Sequence, residues 1–283
     1  MMMRPWFMPR IWIALIIVPG VGFSQMVVED SSQSNPNKSL VSTVADDVWH
    51  VASSPFRMSR NDALHFAAFL ALNAGLVHVL DATADEEFAL KGHQAYLKPA
   101  EGLADLGDLY NQIGPGRILA GLTTTMLASG IIFNDQKLLE TTRLVIESSI
   151  ITGFITTSSK GLFGRSRPYT EKGAHDFNFF KFSKAHKYLS FPSGHTSAIF
   201  AVTTVIAKQH DRWWIKYPAY TLAISVALQR MHGRQHWTSD VVVGGAIGYW
   251  VSNTLVRRHH GKARSQPFIP YFVANQIGVR INF

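Results

Sequence analysis

Apolar residues fall into blocks of helical length, separated by polar or glycine- and proline-containing stretches. Few segments before residue 266 alternate with period two, so the pattern favours helices over strands. It predicts six helices, at residues 62–81, 117–133, 141–160, 196–208, 217–230 and 239–256. Asn61 or Asp62 can cap the first, and Gly114-Pro115-Gly116 precedes the second. We therefore expect an all-α bundle with a six-helix core.

Two predicted connections are longer than simple turns. Residues 82–116 begin with acidic residues and leave room for one further short helix. Residues 170–189 are rich in aromatic and basic side chains, namely Phe177, Phe179, Phe180, Phe182, Lys181, Lys184 and Lys187. This loop is either a lid or lipid-facing flap over a basic pocket, or an ordinary loop that aromatic residues pin to the bundle.

The two ends of the chain differ from the helical middle. An apolar run at 11–21 follows two arginines, and Gly22 and Ser24 suit cleavage of an export signal before Gln25. An uncleaved anchor is the alternative, although eleven residues are short for a bilayer span. Late alternation at Val279 and Ile281 predicts one or two short strands, too few to close a barrel. The predicted parts are a signal peptide (1–24), a polar linker and lead-in segment (25–61), a helical domain (62–256), and a basic segment with a β-like tail (257–283).

Composition narrows the class of protein. Hydrophobic residues make up 47% of the 283 residues and charged residues only 16%, against about a quarter charged in a typical soluble domain. This predicts extensive helix interior or membrane contact. The net charge of +8 favours anionic partners such as phosphate esters or acidic lipid headgroups. Without basic–aromatic alternation or zinc-finger spacing, nucleic acid is not an expected partner. Without cysteine, a thiolate nucleophile is excluded.

A first candidate binding stretch runs from Lys160 to Pro168. Lys160 ends a predicted helix, and Pro168 disfavours the α conformation for Arg167. Gly161 and Gly164 allow a tight turn, so both cations can converge on one anion. Guanidinium groups suit phosphate geometry. Taken alone, such a basic loop is more often simply solvated.

A second stretch, Pro192-Ser193-Gly194-His195, stands where a predicted loop becomes a helix. Backbone N–H groups at such a start point towards anions. Ser193 can cap the helix and donate, and Gly194 permits close approach. This arrangement would bring His195 near a bound anion.

The third stretch adds a candidate nucleophile. His236 and Asp240 are four residues apart and share a face if the segment is helical. Asp240 could then accept from one ring nitrogen and leave the other for attack on phosphorus. Arg230 supplies a third cation six residues earlier. A surface His–Asp pair is the alternative in isolation. No HExxH or acidic cluster with ligand spacing occurs, so side chains rather than a metal should supply the positive charge.

In this order the three stretches resemble the type 2 phosphatidic acid phosphatase superfamily, which also includes bacterial acid phosphatases and vanadium haloperoxidases. The family pattern is Lys, six residues, Arg-Pro; then Pro-Ser-Gly-His; then Ser-Arg, five residues, His, three residues, Asp. Gln229 stands where the pattern has Ser. The resemblance covers roughly residues 62–256 and implies the six-helix layout of that family.

The resemblance also implies roles for individual residues. His236 would form a phosphohistidine oriented by Asp240, while His195 would protonate the leaving group and then activate water. Phosphate would be bound by Lys160, Arg167, Ser193, Gly194 and Arg230. The expected activity is metal-independent hydrolysis of phosphate monoesters or lipid (pyro)phosphates without a cofactor. Vanadate would occupy the phosphate site as an inhibitor. The alternatives are a haloperoxidase with vanadate as cofactor in the same pocket, and a non-catalytic anion-binding envelope protein.

The export pattern predicts a location in the cell envelope. If the signal is cleaved and all six helices cross a membrane, the basic run at 257–262 lies outside, against the positive-inside tendency. Several predicted helices also have fewer uncharged residues than the ~20 expected of a span. We therefore expect a periplasmic, helical globular enzyme at a membrane surface, with embedding by six spans as the alternative.

Overall fold

The computed structural model of the protein describes residues 40–90, 98–264, 268–273 and 276–281. Helices dominate these ranges: α1 Leu40–Ser53, α2 Arg60–Gly75, α3 Lys98–Ile113, α4 Pro115–Ile132, α5 Gln136–Phe163, α6 Gly194–Gln209, α7 Trp213–His232 and α8 Thr238–Arg264. This confirms the predicted all-α class. The predicted signal peptide and the polar stretch before residue 40 lie outside the described residues.

All six predicted helices are present, as α2 and α4–α8, with somewhat different bounds. Two further helices lie where the sequence predicted a lead-in segment and a long connection. These are α1 and α3, and α3, at 16 residues, is longer than the short helix expected there. α1 is anchored by Val51, which is 1% exposed and joins the cluster formed by α5, α6 and α8.

α2 continues beyond Gly75 without a loop. Its extension (residues 76–90) consists of a π-helical stretch Leu76–Leu80, an α-helical turn Asp81–Ala84 and a second π-helical stretch Asp85–Leu90. The start is fixed by a capping box, in which Ser59 N–H donates to Asp62 at 3.1 Å and Asp62 N–H donates to Ser59 Oγ at 3.2 Å. By length and composition, the stretch Arg60–Phe88 could cross a membrane. Only 11% of its apolar 18-residue segment is buried.

The bundle is organised by close contacts of α8 with α6. A Cβ added at Gly244 would lie 2.5 Å from Ser193 O, and one at Gly248 would lie 2.3 Å from Ser197 O. No larger residue fits there without moving a helix, so the start of α6 is held against the start of α8. The adjoining apolar core consists of Val51, Leu144, Val145, Ile151, Val205, Val251, Leu255 and Val256.

The chain ends in a β-hairpin, as the late alternation predicted. Strand β1, Phe268–Val273, pairs antiparallel with β2, Gln276–Ile281, and Phe268 lies opposite Ile281.

Aromatic contacts pin part of the long loop between α5 and α6. Phe163 meets Phe191 with ring centroids 4.8 Å apart, and Phe177 stacks on Phe179 at 5.7 Å. Phe180 and Phe182 project outwards and are 70% and 64% exposed. The loop therefore has a pinned part, as the second interpretation expects, and a part with exposed aromatic side chains.

Candidate active site

The first stretch leaves α5 through a left-handed turn. Lys160 lies in the last turn of α5, and Gly164 terminates the helix with φ of 53°. Arg167 is extended, with φ −78° and ψ 155°, as the following proline requires. The predicted turn role of Gly161 is wrong, because this residue lies inside α5. Its missing side chain leaves room for the Phe182 ring, 2.7 Å from the Cβ position.

Side chains of the first stretch reach the other two stretches. Lys160 Nζ donates to Leu189 O at 2.5 Å, and its Cε lies 3.6 Å from the Cβ position of Gly194. Arg167 donates to Gln235 Oε1 at 2.5 Å, beside His236 in sequence. Lys160 thus lies near the start of α6, and Arg167 lies near the loop before α8.

The Pro-Ser-Gly-His stretch forms a helix start, as predicted. Ser193 is the N-cap of α6, and its side chain accepts from Thr196 N–H at 3.5 Å. Ser193 N–H donates to Asp240 O at 3.0 Å, which ties this start to α8. Gly194 and His195 are the first two residues of the helix.

The third stretch is not one helix, in line with the separate helices predicted at 217–230 and 239–256, so His236 and Asp240 do not share a helical face. α7 ends at His232 and α8 begins at Thr238, which leaves His236 in the loop between them. This loop folds back, since His236 N–H donates to Arg230 O at 3.1 Å. Asp240 lies in the first turn of α8, and its Oδ2 is 3.6 Å from His236 Nδ1. That separation is an ion-pair distance rather than a hydrogen-bond length.

Asp240 is held by residues other than His236. Its Oδ2 accepts from Ser190 Oγ at 2.5 Å and from Trp237 N–H at 2.9 Å, while its Oδ1 accepts from Arg165 at 2.6 Å. Arg165 and Ser190 were missed by sequence reasoning. The available signal was the position of Arg165 between Lys160 and Arg167 in the same stretch.

Helix α3 also reaches the site, which the sequence pattern did not indicate. Arg230 donates to Asn111 Oδ1 at 2.5 Å, and the Tyr110 ring lies 6.5 Å from the His195 ring. Gln229, the departure from the family pattern, donates to Asp108 Oδ1 at 3.1 Å. This departure therefore adds a contact to α3 and leaves the Arg230 guanidinium in place.

The charges of Lys160 and Arg167 act on both imidazoles, and Arg230 also acts on His195. Burial lowers the pKa of His195 to about 4, and Arg230, Arg167 and Lys160 act in the same direction. Burial likewise lowers the pKa of His236 to about 3. The charges of Lys160 and Arg167 lower it further, whereas Asp240 acts to raise it. The two rings are therefore neutral at pH 7 in the empty site, as a nitrogen nucleophile requires.

The cations of the site also lower one another's pKa. Burial lowers the pKa of Lys160 to about 7, and neighbouring Arg167 and Arg230 lower it further. Burial and the charge of Arg167 lower the pKa of Arg230 to about 10. Burial alone would raise the pKa of Asp240, but Arg165 and His236 hold it well below its usual range.

Within the described part of the chain, Lys160, Arg167 and Arg230 form no ion pair with a carboxylate. Nε of Arg167 and of Arg230 are buried and donate to no acceptor there. Buried positive charge without a partner is unfavourable unless an anion is bound. The arrangement is therefore suited to a tetrahedral oxyanion, which would accept several charge-assisted hydrogen bonds.

A second group of titratable residues lies towards the far end of α8 and is called the distal cluster. It consists of Asp47, Arg143, Glu147, Arg258 and His259. Ligand atoms of Asp47, Glu147 and His259 lie within 4.8 Å of one another, a geometry that could hold a metal ion. However, Arg143 is 3.1 Å from Glu147 and Arg258 is 3.1 Å from Asp47. These guanidinium groups already contact the two carboxyl groups and would repel a divalent cation.

Comparison with known proteins identifies a family whose model part of the chain matches. Residues 142–264 match the model of the PAP2 superfamily. The match confirms the resemblance derived from the three stretches.

Curated relatives are similar over part of the chain. A lipid A 1-phosphatase of Porphyromonas gingivalis is 34% identical over 77 residues, which cover 24% of this chain and 17% of the relative. Lipid A 1-phosphatases of Rhizobium johnstonii and Rhizobium etli are each 31% identical over 103 residues. These cover 36% of this chain and 41% and 44% of the respective relatives. The chain thus spans less than half the length of these relatives. No solved structure matches it.

Proposed function

We propose that the protein is a metal-independent phosphatase that hydrolyses a lipid phosphate through a phosphohistidine intermediate. The observation that carries this proposal is the surplus of buried cations around two neutral imidazoles. The similarity to lipid A 1-phosphatases supports a phosphorylated lipid as substrate, with the 1-phosphate of lipid A as the first compound to test.

In the proposed mechanism, the non-bridging phosphate oxygens are bound by Lys160, Arg167 and Arg230. Backbone N–H groups at the start of α6 bind them as well. Nε2 of His236 attacks phosphorus while Nδ1 faces Asp240. The bond from phosphorus to the ester oxygen breaks, and protonated His195 gives its proton to that oxygen.

In the second step a water molecule attacks the phosphorus of phosphohistidine and transfers a proton to His195. The P–N bond breaks, inorganic phosphate leaves, and His236 is neutral again. Binding of the phosphate dianion would offset the cations that hold the pKa of His195 low, so this imidazole could carry a proton in the complex.

The decisive experiment is His236→Ala, assayed by phosphate release from lipid A 1-phosphate and phosphatidate. We expect the rate to fall ~10³-fold or more, and an acid-labile phosphoenzyme to form in the unsubstituted protein but not in this variant. Wild-type activity should persist in EDTA and be inhibited by vanadate. His210→Ala is the matched control, because His210 lies just beyond the opposite end of α6 from His195. A normal rate in His236→Ala would contradict the mechanism.

We also propose that the protein resides in the cell envelope and is held in a membrane by Arg60–Phe88. That stretch contains an apolar segment of 18 residues, and its side chains Leu64, Leu70 and Val79 are more than half exposed. Exposed Phe180 and Phe182 beside Lys181 would suit an anionic membrane surface near the site. After carbonate extraction, the protein should remain in the membrane pellet. Recovery in the soluble fraction would instead favour the globular form that the sequence predicted.

A further inference from the structure

Arg165 is the largest side chain that is fully buried in the described residues. Its guanidinium donates to Asp240 Oδ1 at 2.6 Å and to Asp81 Oδ2 at 2.7 Å. Further donations go to Ser239 Oγ at 2.7 Å and to Ala174 O at 2.6 Å. A single guanidinium thus bridges two carboxylates, one of which faces His236.

Asp81 comes from a distant part of the sequence and has no exposed surface in its side chain. Its Oδ1 accepts from Ser239 N–H at 2.9 Å, and its Oδ2 accepts from Ser239 Oγ at 2.5 Å. It occupies the α-helical turn between the two π-helical stretches that extend α2. Such π-helical insertions are frequent at functional sites because they redirect the side chains that follow.

We propose that Asp81 is a positioning residue for the nucleophile, acting on His236 through Arg165 and Asp240. This inference rests on the proposed function. If Arg165 paired with Asp240 alone, the two charges would cancel. Because Asp81 shares the guanidinium, the three residues together carry one net negative charge. That charge remains close to His236 and stabilises the positive charge that its ring acquires on phosphorylation.

The same contacts also restrict the orientation of the Asp240 carboxylate. Arg165 holds Oδ1 of Asp240, which leaves Oδ2 directed towards His236 Nδ1 at 3.6 Å. Asp81 in turn limits rotation of the guanidinium. Loss of Asp81 would free one edge of Arg165 and loosen the carboxylate whose negative charge favours a proton on Nδ1 of His236.

A purely structural role is the competing explanation, because Asp81 also ties the α2 extension to α8. The chain offers a matched control for this. Asn73 in α2 is buried and donates to Ser239 O at 3.2 Å. It therefore ties the same two elements together without a charge and without contacting Arg165.

The test compares Asp81→Asn with Asn73→Ala in the full chain. We expect kcat of Asp81→Asn to fall ~10–100-fold, the range seen when outer partners of a reacting group are removed, with KM changed less than about 3-fold. Asn73→Ala should lower the melting temperature and keep kcat within about 2-fold. Equal losses of kcat in the two variants would overturn the proposal, as would an unchanged kcat in Asp81→Asn.

A second readout does not depend on turnover. Nitrogen-15 NMR of the imidazoles, assigned by difference with His236→Ala, should show one Nδ1-protonated tautomer of His236 in the wild type and a mixture in Asp81→Asn. A single unchanged tautomer in the variant would overturn the proposal even if no phosphatase activity were found. If Asp81→Asn does not fold, Ser239→Ala serves instead, since it removes hydrogen bonds to both Asp81 and Arg165 without changing charge. Its tautomer shift should be smaller, and no shift would count against the proposal.

Discussion

The candidate active site and the distal cluster are built from the same residue types but differ in how their charges are balanced. Both combine arginine, carboxylate and histidine in buried surroundings. They lie near opposite ends of α8, since Asp240 and His259 are separated by about 28 Å along the helix at 1.5 Å per residue. In the distal cluster, Arg143 and Arg258 both pair with Asp47, at 3.5 and 3.1 Å.

At the candidate active site, by contrast, there are more cations than the two carboxylates can pair with. Asp81 and Asp240 share Arg165, and the remaining cations of the site lack a carboxylate partner among the described residues. The distal cluster therefore contributes to stability by internal pairing, whereas the active site keeps positive charge available for an anion. Unmatched charge, more than residue type, therefore distinguishes the candidate active site from the distal cluster.

The largest expected effect that separates the two regions comes from replacing one arginine in each region with glutamine. Arg230→Gln should reduce kcat/KM ~100-fold, because a charge-assisted contact to the transferring phosphoryl group is lost. Its melting temperature should stay the same or rise, since Arg230 and Arg167 repel each other. Phosphate release and thermal unfolding, measured on the same preparations, test both parts.

Arg258→Gln should do the reverse. It removes a partner of buried Asp47 and should destabilise the protein by about 1–3 kcal/mol, while kcat/KM of the folded enzyme stays within about 2-fold. If Arg230→Gln lowered stability without affecting catalysis, the two regions would not differ as described.

The residues of the candidate active site could be predicted from the sequence because they lie in three short, chemically distinctive stretches. Lys160, Arg167, His195 and His236 are recognisable from their neighbours, and the surrounding helices follow from apolar spacing. The helical start at Gly194 was likewise predictable, since Ser193 is a favourable N-cap.

Contacts between distant segments could not be predicted in the same way. Asp81 and Arg165 are 84 residues apart, and Asn111 and Arg230 are 119 apart. Neither Asp81 nor Asn111 stands in a motif, so their roles depend on how α2 and α3 pack. The helical face considered for His236 and Asp240 does not form, but the four-residue spacing also brings a loop residue close to the first turn of the helix that follows.

The smallest expected effect concerns the pH dependence of the distal cluster. Burial raises the pKa of Glu147 to about 7, and the neighbouring carboxylate of Asp47 adds to this, while Arg143 opposes it. Burial acts to raise the pKa of Asp47, but His259, Arg258 and Arg143 lower it overall. Of the two carboxyl groups, Glu147 is therefore the one that binds a proton more readily, and Asp47 is the one that stays ionised.

A raised pKa in the folded state means that folding favours protonated Glu147. The resulting stability is fully present below pH 4.5, the ordinary value, and is lost as the pH rises through about 7. Glu147→Gln cannot ionise, so its melting temperature relative to wild type should rise between pH 5 and pH 8, by roughly 3–6 °C. Glu140→Gln, two turns earlier in α5, should keep the wild-type pH dependence, and neither variant should change kcat more than about 2-fold. If Glu147→Gln followed the wild-type curve, both carboxylates of the cluster would be ionised, and the distal cluster would not store a proton.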